Sequence, residues 1–117
     1  MAEGIINTNH DYSGTNVAKA NGRSGTIDSN NCTRLGNIVT CSGRIHTMDN
    51  ETASGAFFVI PEGYRPYAQF RTFGYMNVNN VGWVPLLATI SANGTVELTY
   101  SSSYTCNQVG FAASYSI

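Results

Sequence analysis

The stretch Val109–Ile117, VGFAASYSI, decides the fold class because its residues alternate in size and polarity. Every second residue from Val109 to Ile117 belongs to an apolar series, and only glycine, alanine and serine stand between them. A repeat of two is that of an extended strand, because successive side chains of a strand point to opposite faces of the sheet. The end of the chain is therefore predicted to be a β-strand with one buried face.

The same repeat occurs upstream in Thr95–Tyr100, TVELTY, and the pair Asn93-Gly94 separates it from the apolar run PLLATIS. An Asn-Gly pair between two strand patterns is a strong hairpin signal. Further strands are predicted at Ile38–Ile45, Gly55–Ile60 and Ala68–Met76. No window longer than about ten residues has helical spacing with start and stop signals. The sequence therefore predicts an all-β fold, an antiparallel barrel or sandwich of about six to seven strands.

The composition limits the classes of partner. The chain has 117 residues, enough for one domain, and only 11% of them are charged, against about 25% in an average soluble domain. The formal net charge is -1 and Lys19 is the only lysine, so we expect no nucleic-acid partner, which would need a clustered basic face. No apolar run approaches the ~18 residues of a membrane span, so no membrane insertion is expected. The N-terminus also lacks the basic and apolar regions of a signal peptide.

The first part of the chain differs from the rest. Residues 1–25 are polar, contain several glycines and have few large apolar side chains, so they bury too little surface to offset the entropy lost on ordering. We predict a flexible polar arm or linker over 1–25, followed by a compact β-domain over 26–117.

The three cysteines raise the question of a disulfide. A two-residue turn at Gly36-Asn37 would place Cys32 opposite Cys41 across a hairpin, close enough for a bridge. Two reduced thiols are the alternative, and we expect these because disulfides are rare in protein made in a reducing cytosol. Cys106 is left over in both cases, and the spacing of the three does not fit a zinc site.

Motifs for catalysis are not found, so the protein is expected not to be an enzyme and to hold no metal and no cofactor. The sequence has no nucleophile elbow, no HExxH and no glycine-rich phosphate loop. His10 and His46 each stand alone, and Asp49 and Glu51 in MDNET are explained by a solvated turn rather than by a cation.

Aromatic, amide and arginine side chains are instead grouped around the predicted loops. A flat aromatic face beside amide groups suits a sugar ring, which has an apolar CH face and a rim of hydroxyls. The same residues would otherwise cap a core or fill a subunit interface. The candidates for saccharide binding are Trp83, Tyr75, Asn77, Asn80, Arg71 and Tyr104, and Asn79 lies in the same turn.

Several motifs together resemble a known family. GNIVTCSGRI, FFVIPEGYRP, GW, ATISANGTVELTY and the terminal FAASYSI occur in that order between Cys32 and Ile117. This order is similar to the C-terminal head domain of phage tail receptor-binding proteins, especially the lactococcal-phage type. The resemblance implies a β-barrel head of a homotrimer that binds host cell-wall saccharides without cutting them. It further implies contacts with other tail or baseplate proteins through the N-terminal side, and a location in the virion tail of a protein made in the host cytoplasm.

The resemblance also assigns roles to particular residues. Trp83, in VGW, matches a tryptophan that lines the saccharide site of such heads, although Val84-Pro85-Leu86-Leu87 replaces the polar residues found near it in the family. Phe57–Ile60 would be a strand buried on both sides, against the core and a neighbouring subunit, and Tyr64 and Arg65 would have structural roles in the turn that follows. Two alternatives stay open: a purely structural trimeric tail or baseplate module, and a secreted bacterial lectin-like domain with oxidised cysteines.

Overall fold

The computed structural model describes residues 12–117, and within them every regular element is a β-strand. The strands are β1 (Tyr12–Asn16), β2 (Ala18–Lys19), β3 (Thr26–Asp28), β4 (Asn31–Leu35), β5 (Ile38–His46), β6 (Glu51–Val59), β7 (Phe70–Val78), β8 (Gly82–Ile90) and β9 (Thr95–Ser116). All pairs are antiparallel and form one sheet that is nearly closed into a barrel. The predicted all-β class is confirmed. Among residues 12–117, no helix is long and apolar enough to cross a membrane.

The 22-residue strand β9 organises the sheet. β5 and β6 lie end to end along one of its sides, β5 against the C-terminal half and β6 against the N-terminal half. On the other side, β7 pairs with Phe111 and its neighbours, and β8 returns to pair with Val96 and Leu98. The β7–β8 hairpin therefore bridges both halves of β9, which is what nearly closes the barrel.

The alternation that predicted the last strand is confirmed. Val109, Phe111, Ala113 and Tyr115 are buried, whereas Ala112, Ser114 and Ser116 are exposed. The sequence predicted separate strands for Thr95–Tyr100 and Val109–Ile117, but both belong to β9. Residues 102–104 form an irregularity between them, because Thr52 pairs with Thr105 while the next residue, Ala53, pairs with Ser101.

The apolar run in β6 is buried within one chain. Phe57 and Phe58 are adjacent in sequence yet both are fully buried, although successive side chains of a regular strand point to opposite faces of the sheet. A bulge between Ala56 and Phe58 breaks this alternation, and both rings belong to the core. Phe58 packs on Phe111 with ring centroids 4.9 Å apart, and the Arg23 guanidinium covers Phe57 at 3.7 Å. One chain therefore buries Phe57 and Phe58 by itself, and the predicted neighbouring subunit is not needed to explain their burial.

The predicted arm differs from the structure in its described part. Tyr12–Asn16 pairs with β4, and Ala18–Lys19 pairs with β6. Val17, between these two strands, is almost fully buried, and its N–H donates to the Asn30 carbonyl at 2.8 Å. Backbone pairing to strands far along the chain orders this polar segment, so residues 12–25 are part of the folded domain and not a linker. The remainder of the predicted arm, 1–11, lies outside the described residues.

The β4–β5 hairpin has the predicted register, with Cys32 opposite Cys41. Their Cα atoms are 4.2 Å apart and the two sulfurs form a disulfide, contrary to our expectation of reduced thiols. This short Cα separation is typical of a non-hydrogen-bonded pair in an antiparallel ladder. In such a pair the two opposite side chains lie nearest to each other. Cys106 is a buried free thiol, and burial raises its pKa to about 11.

The turn after β6 has the structural role expected of it. Arg65 Nε donates to the Ile60 carbonyl at 2.7 Å, and Tyr64 Oη donates to Ser13 Oγ at 2.8 Å. Tyr115 Oη donates to the Tyr64 carbonyl. These bonds tie the turn to β1, to β9 and to Ile60, the residue that follows β6. Tyr67, by contrast, points into solvent and is 84% exposed.

Candidate functional site

The β7–β8 hairpin carries most of the candidate residues, and its turn sets their register. Asn80 adopts a positive φ of 69° and Gly82 one of 106°, a conformation that asparagine and glycine tolerate best. The Val81 N–H donates to the Val78 carbonyl at 3.0 Å and closes the turn. Because Val78 pairs with Gly82, every residue of β7 has a fixed partner on β8.

The outward side chains of β7 and β8 form one surface, which we call the hairpin face. It consists of four cross-strand pairs, Asn77–Trp83, Tyr75–Pro85, Phe73–Leu87 and Arg71–Thr89. Neighbouring pairs on one face are roughly 7 Å apart, two residues along a strand. The inward residues between them, such as Met76 and Ala88, belong to the core.

An aromatic pair marks one end of the hairpin face. Trp83 is 58% exposed although it is the only tryptophan of the chain. Its ring lies against Tyr75, with centroids 5.7 Å apart and the planes tilted by 58°. The Tyr75 ring lies across Gly110 of β9, where a Cβ atom would come within 2.2 Å of the tyrosine Cζ. Glycine at this position therefore lets the tyrosine lie flat on the sheet beside the tryptophan.

Asn77 is directly opposite Trp83 and is half-buried, so its amide stands beside the indole. On the other side of Asn77, Gln108 of β9 is its register partner. Trp83, Tyr75 and Asn77 are thus brought together as the sequence proposed. Arg71 shares their face but lies at its far end, roughly 20 Å from Asn77 along the strand.

The other two candidates and Asn79 lie outside the hairpin face. Asn80 is exposed in the turn. The Asn79 amide is engaged in the fold, since its Nδ2 donates to Asn50 Oδ1 at 2.9 Å and to Thr105 Oγ1 at 2.7 Å. Tyr104 lies in the irregular part of β9 and packs edge-on against Tyr100, with centroids 5.3 Å apart.

A charged cluster lies next to the face, one strand beyond Gly110. Arg44 pairs in register with Gly110, and its guanidinium donates to both carboxylate oxygens of Asp28 at 2.7 and 2.8 Å. His46 Nε2 lies 3.1 Å from the same carboxylate. Hydrogen bonds from Arg44, helped by the nearby charges, hold the pKa of Asp28 below its usual value. The charges of this cluster compensate one another, whereas Arg71 forms no ion pair with any residue of 12–117.

The chemistry available at the face is stacking and hydrogen bonding. Within the described residues, no three His, Cys, Asp or Glu side chains are grouped to hold a metal ion. The imidazole of His46 contacts the Asp28 carboxylate through Nε2 and the Thr47 hydroxyl through Nδ1. His10 lies outside the described part of the chain. Glu51, considered above as part of a turn, accepts hydrogen bonds from Ser24 and forms an ion pair with Arg23.

Three apolar residues of the hairpin face were missed from the sequence. Phe73 and Leu87 are 58% and 66% exposed, and Pro85 is also exposed between Leu87 and Trp83. The alternation in FRTFGYMNV already places Phe73 on the side of Tyr75 and Asn77. Extending the repeat of two from Tyr75 in both directions would have found it.

Comparison with known proteins adds no family assignment: no family model matches the chain, and no curated protein matches it.

Proposed function

We propose that the chain is a non-catalytic receptor-binding head domain of a phage tail fibre or baseplate protein, which recognises a host cell-surface saccharide on its hairpin face. The observation that carries the proposal is the exposed Trp83 beside Tyr75, two aromatic rings held on rigid strands rather than on a loop. A large ring left in water contributes little to the fold and is available to a ligand. The motif resemblance described above supplies the phage context.

The hairpin face suits a saccharide because it combines flat apolar groups with uncharged polar ones. The indole and phenol rings offer surfaces for the CH face of a sugar, and the amides of Asn77 and Gln108 lie beside them to bond hydroxyls. Stacking and a few exposed hydrogen bonds make one such site weak. Several sites on one particle facing a repeating polymer raise the avidity by about 10²- to 10⁴-fold where the spacing permits joint binding.

Assembly as a homotrimer, with further tail proteins on the N-terminal side, is part of the proposal. Tyr12, Leu35 and Ile38 are exposed and stand side by side on β1, β4 and β5. We call them the N-terminal row. Among the described strands β1 has β4 as its one neighbour, and all five of its residues are exposed. Apolar side chains next to an open strand edge favour a protein contact.

Tryptophan fluorescence gives a direct test, since Trp83 is the only indole in the chain. A glycan array of bacterial saccharides should identify ligands, and titration with these should change the emission of the protein. We expect Trp83→Ala to abolish binding on the array while the far-ultraviolet circular dichroism stays unchanged. The matched control is Tyr67→Ala, which removes an aromatic ring that is 84% exposed but lies outside the face.

Two results would count against a saccharide site at this face: binding retained in Trp83→Ala, or binding lost equally in Tyr67→Ala. An array without any bound glycan, from a protein that assembles normally, would instead support the purely structural tail module.

A secreted bacterial lectin-like domain is the second candidate, favoured by the Cys32–Cys41 disulfide. Disulfides persist in oxidising compartments and are rare in the cytosol. The saccharide site would be the same, but the protein would be found elsewhere. Antibodies against the domain should label tail tips of purified phage particles under the first proposal and the culture medium or cell surface under the second.

A further inference from the structure

A second part of the hairpin face is apolar and is not needed by the core. Phe73 and Leu87 lie opposite each other, one step along the strands from Tyr75–Pro85, and both are more than half exposed. Ala112 of β9 pairs with Phe73 on its other side and is exposed too. Together, Phe73, Leu87 and Ala112 form a shelf of carbon atoms, which we call the apolar shelf.

The free edge of β8 is protected against pairing with another strand. β8 pairs with β7 along one edge and with β9 over Ala88–Ile90 along the other, so Gly82–Leu87 has one edge without a partner among residues 12–117. Pro85 has no N–H, so it can stand in the β7 ladder only where its nitrogen points away from β7, toward that free edge. A proline in the middle of an open edge removes a donor and discourages strand addition. β1 contains no proline that would protect its edge in this way.

The area of the shelf also suits a small ligand better than a protein. Without an edge that can pair, a partner protein would have only the exposed large apolar side chains of the hairpin face, which offer roughly 400 Å² even with Trp83 included, about half of the ~800 Å² that each partner buries in a standard interface. Hydrogen-bonding side chains stand at both ends of the face, Asn77 at one end and Arg71 with Thr89 at the other. The shelf is thus a narrow apolar strip beside a stacking ring and between hydrogen-bonding groups.

Because the apolar shelf begins roughly 7 Å from Tyr75 along the strand, we propose that it receives a methyl-bearing substituent of the saccharide bound at Trp83 and Tyr75. The substituent is an acetamido group, an O-acetyl group or the methyl of a 6-deoxy sugar. This inference rests on the saccharide function proposed above and specifies the class of sugar: acetylated or deoxy rather than fully hydroxylated. A bare hydroxyl over Phe73 and Leu87 would lose its water without gaining a partner.

Matched pairs of sugars test the inference through the Trp83 emission. The pairs are N-acetylglucosamine with glucose, N-acetylgalactosamine with galactose, and L-rhamnose with L-mannose, and each differs in one methyl-bearing substituent. Burial of a single methyl group is worth about a three- to fivefold change in affinity. We expect the methyl-bearing member of a binding pair to bind more tightly by at least that factor. The pair that shows the preference distinguishes an acetyl group from a deoxy methyl.

Variants of the shelf give the second measurement. Leu87→Ser and Phe73→Ser should bring the affinity ratio of the pair to about one, whereas Leu87→Met, which keeps an apolar side chain, should retain it. Both positions are on the surface, and unfolding in urea checks that the three variants stay folded.

The outcomes separate this inference from the proposed function. If glycans bind on the array but both members of each pair bind equally, or if Leu87→Ser keeps the preference, the apolar shelf has no role in binding and only the inference fails. If no glycan binds to the folded protein, the proposed function and the inference fail together.

Discussion

Arg23 stabilises the fold through contacts that one residue rarely combines. Its guanidinium donates to the carbonyls of Thr52, Ser54 and Ala56 at 2.8 to 3.3 Å and covers the Phe57 ring. The three carbonyls are those of alternate residues on the outer edge of β6, where β2 does not reach. A planar fork of donors can satisfy such a row, and an ammonium group cannot. Arg23 thus takes the place of a missing strand.

We expect Arg23→Ala to lower the free energy of unfolding by about 2 to 3 kcal/mol, from lost hydrogen bonds and the lost cation–π contact. Arg23→Lys should lose more than half of the same free energy of unfolding, because the charge of an ammonium group does not replace the planar set of guanidinium donors. Urea unfolding measures both, with Arg71→Lys as the control at an exposed arginine, expected within ~0.5 kcal/mol of the parent. Equal stability of the two lysine variants would show that the fork has no special role.

Glu51 should make part of the stability depend on pH. Burial raises the pKa of its carboxyl, but hydrogen bonds from the Ser24 hydroxyl and N–H, with the Arg23 pair, outweigh burial and leave the pKa below its ordinary 4.5. A carboxyl whose pKa is lower in the folded state binds its proton more readily when unfolded. Its contribution is therefore complete above about pH 4.5 and is lost as the pH falls through the lower folded-state value.

The test compares Glu51→Gln with the parent protein in urea at pH 7 and at pH 3. We expect the variant to be clearly less stable at pH 7 and the difference to shrink at pH 3. Glu97→Gln, at an exposed position on β9, serves as the matched control and should follow the parent at both pH values. A difference for Glu51→Gln that stays constant between the two pH values would contradict this account.

At the scale of elements, two turns are locked together at one end of the barrel. The Ile60 N–H donates to the Gly94 carbonyl at 2.8 Å, and the Arg65 side chain donates to the Ile60 carbonyl at 2.7 Å. The β8–β9 loop therefore packs against the turn that follows β6. Gly94 lies at the contact, where an added Cβ would come within 2.3 Å of the Ile60 oxygen.

A comparison of two glycines separates this contact from backbone strain. Gly94 and Gly63 both have a φ of 91°, but a Cβ at Gly63 meets no atom within 4 Å. Gly63→Ala should cost only the strain of a left-handed residue, about 1 to 2 kcal/mol. Gly94→Ala should cost at least 1 kcal/mol more, because the two turns must also move apart. Equal losses in urea unfolding would mean that the loop adjusts freely.

Elements set by local chemistry were predictable from the sequence, and those set by distant contacts were not. The Gly36-Asn37 turn fixes the register of Cys32 and Cys41 over a few residues, so it could be derived. The bulge in β6 breaks the repeat of two at Phe57, and only the packing of Arg23 and Phe111 around the two rings explains it. β1 pairs with β4 through backbone groups, and apart from Tyr12 its residues are small or polar and leave no alternating apolar pattern to detect.

The candidate site was predictable to a similar extent. Residue types and the GW motif pointed to Trp83, and the predicted turn grouped it with Tyr75 and Asn77. The close packing of Tyr75 on Trp83 depends on Gly110, more than twenty-five residues away in sequence. Asn79 resembled a ligand residue, but its amide is satisfied by Asn50 and Thr105, a network that no sequence pattern indicates.

At the scale of the whole molecule, the described residues 12–117 present two exposed apolar regions with different surroundings. The hairpin face lies on β7 and β8 beside the proline-protected edge, and the N-terminal row lies beside the open edge of β1. Along β9, Ala112 of the apolar shelf and Ser116, the register partner of Ile38, are separated by roughly 13 Å. Binding and assembly can therefore use different residues, so variants can separate the two.

The proposed trimer should be visible as mass in solution. Light scattering at micromolar concentration should report about three times the chain mass of 12.6 kDa. The double variant Leu35→Ser, Ile38→Ser should give the mass of one chain with unchanged circular dichroism, since both side chains are exposed and outside the core. Its affinity for a soluble monosaccharide should stay that of the parent, while its avidity for a polymer falls by about 10²- to 10⁴-fold. The matched control, the double variant Phe73→Ser, Leu87→Ser, should keep a mass of three chains.

A parent protein with the mass of one chain would remove the trimer from the proposal. A Leu35→Ser, Ile38→Ser variant that remains trimeric would place the subunit contact away from the N-terminal row.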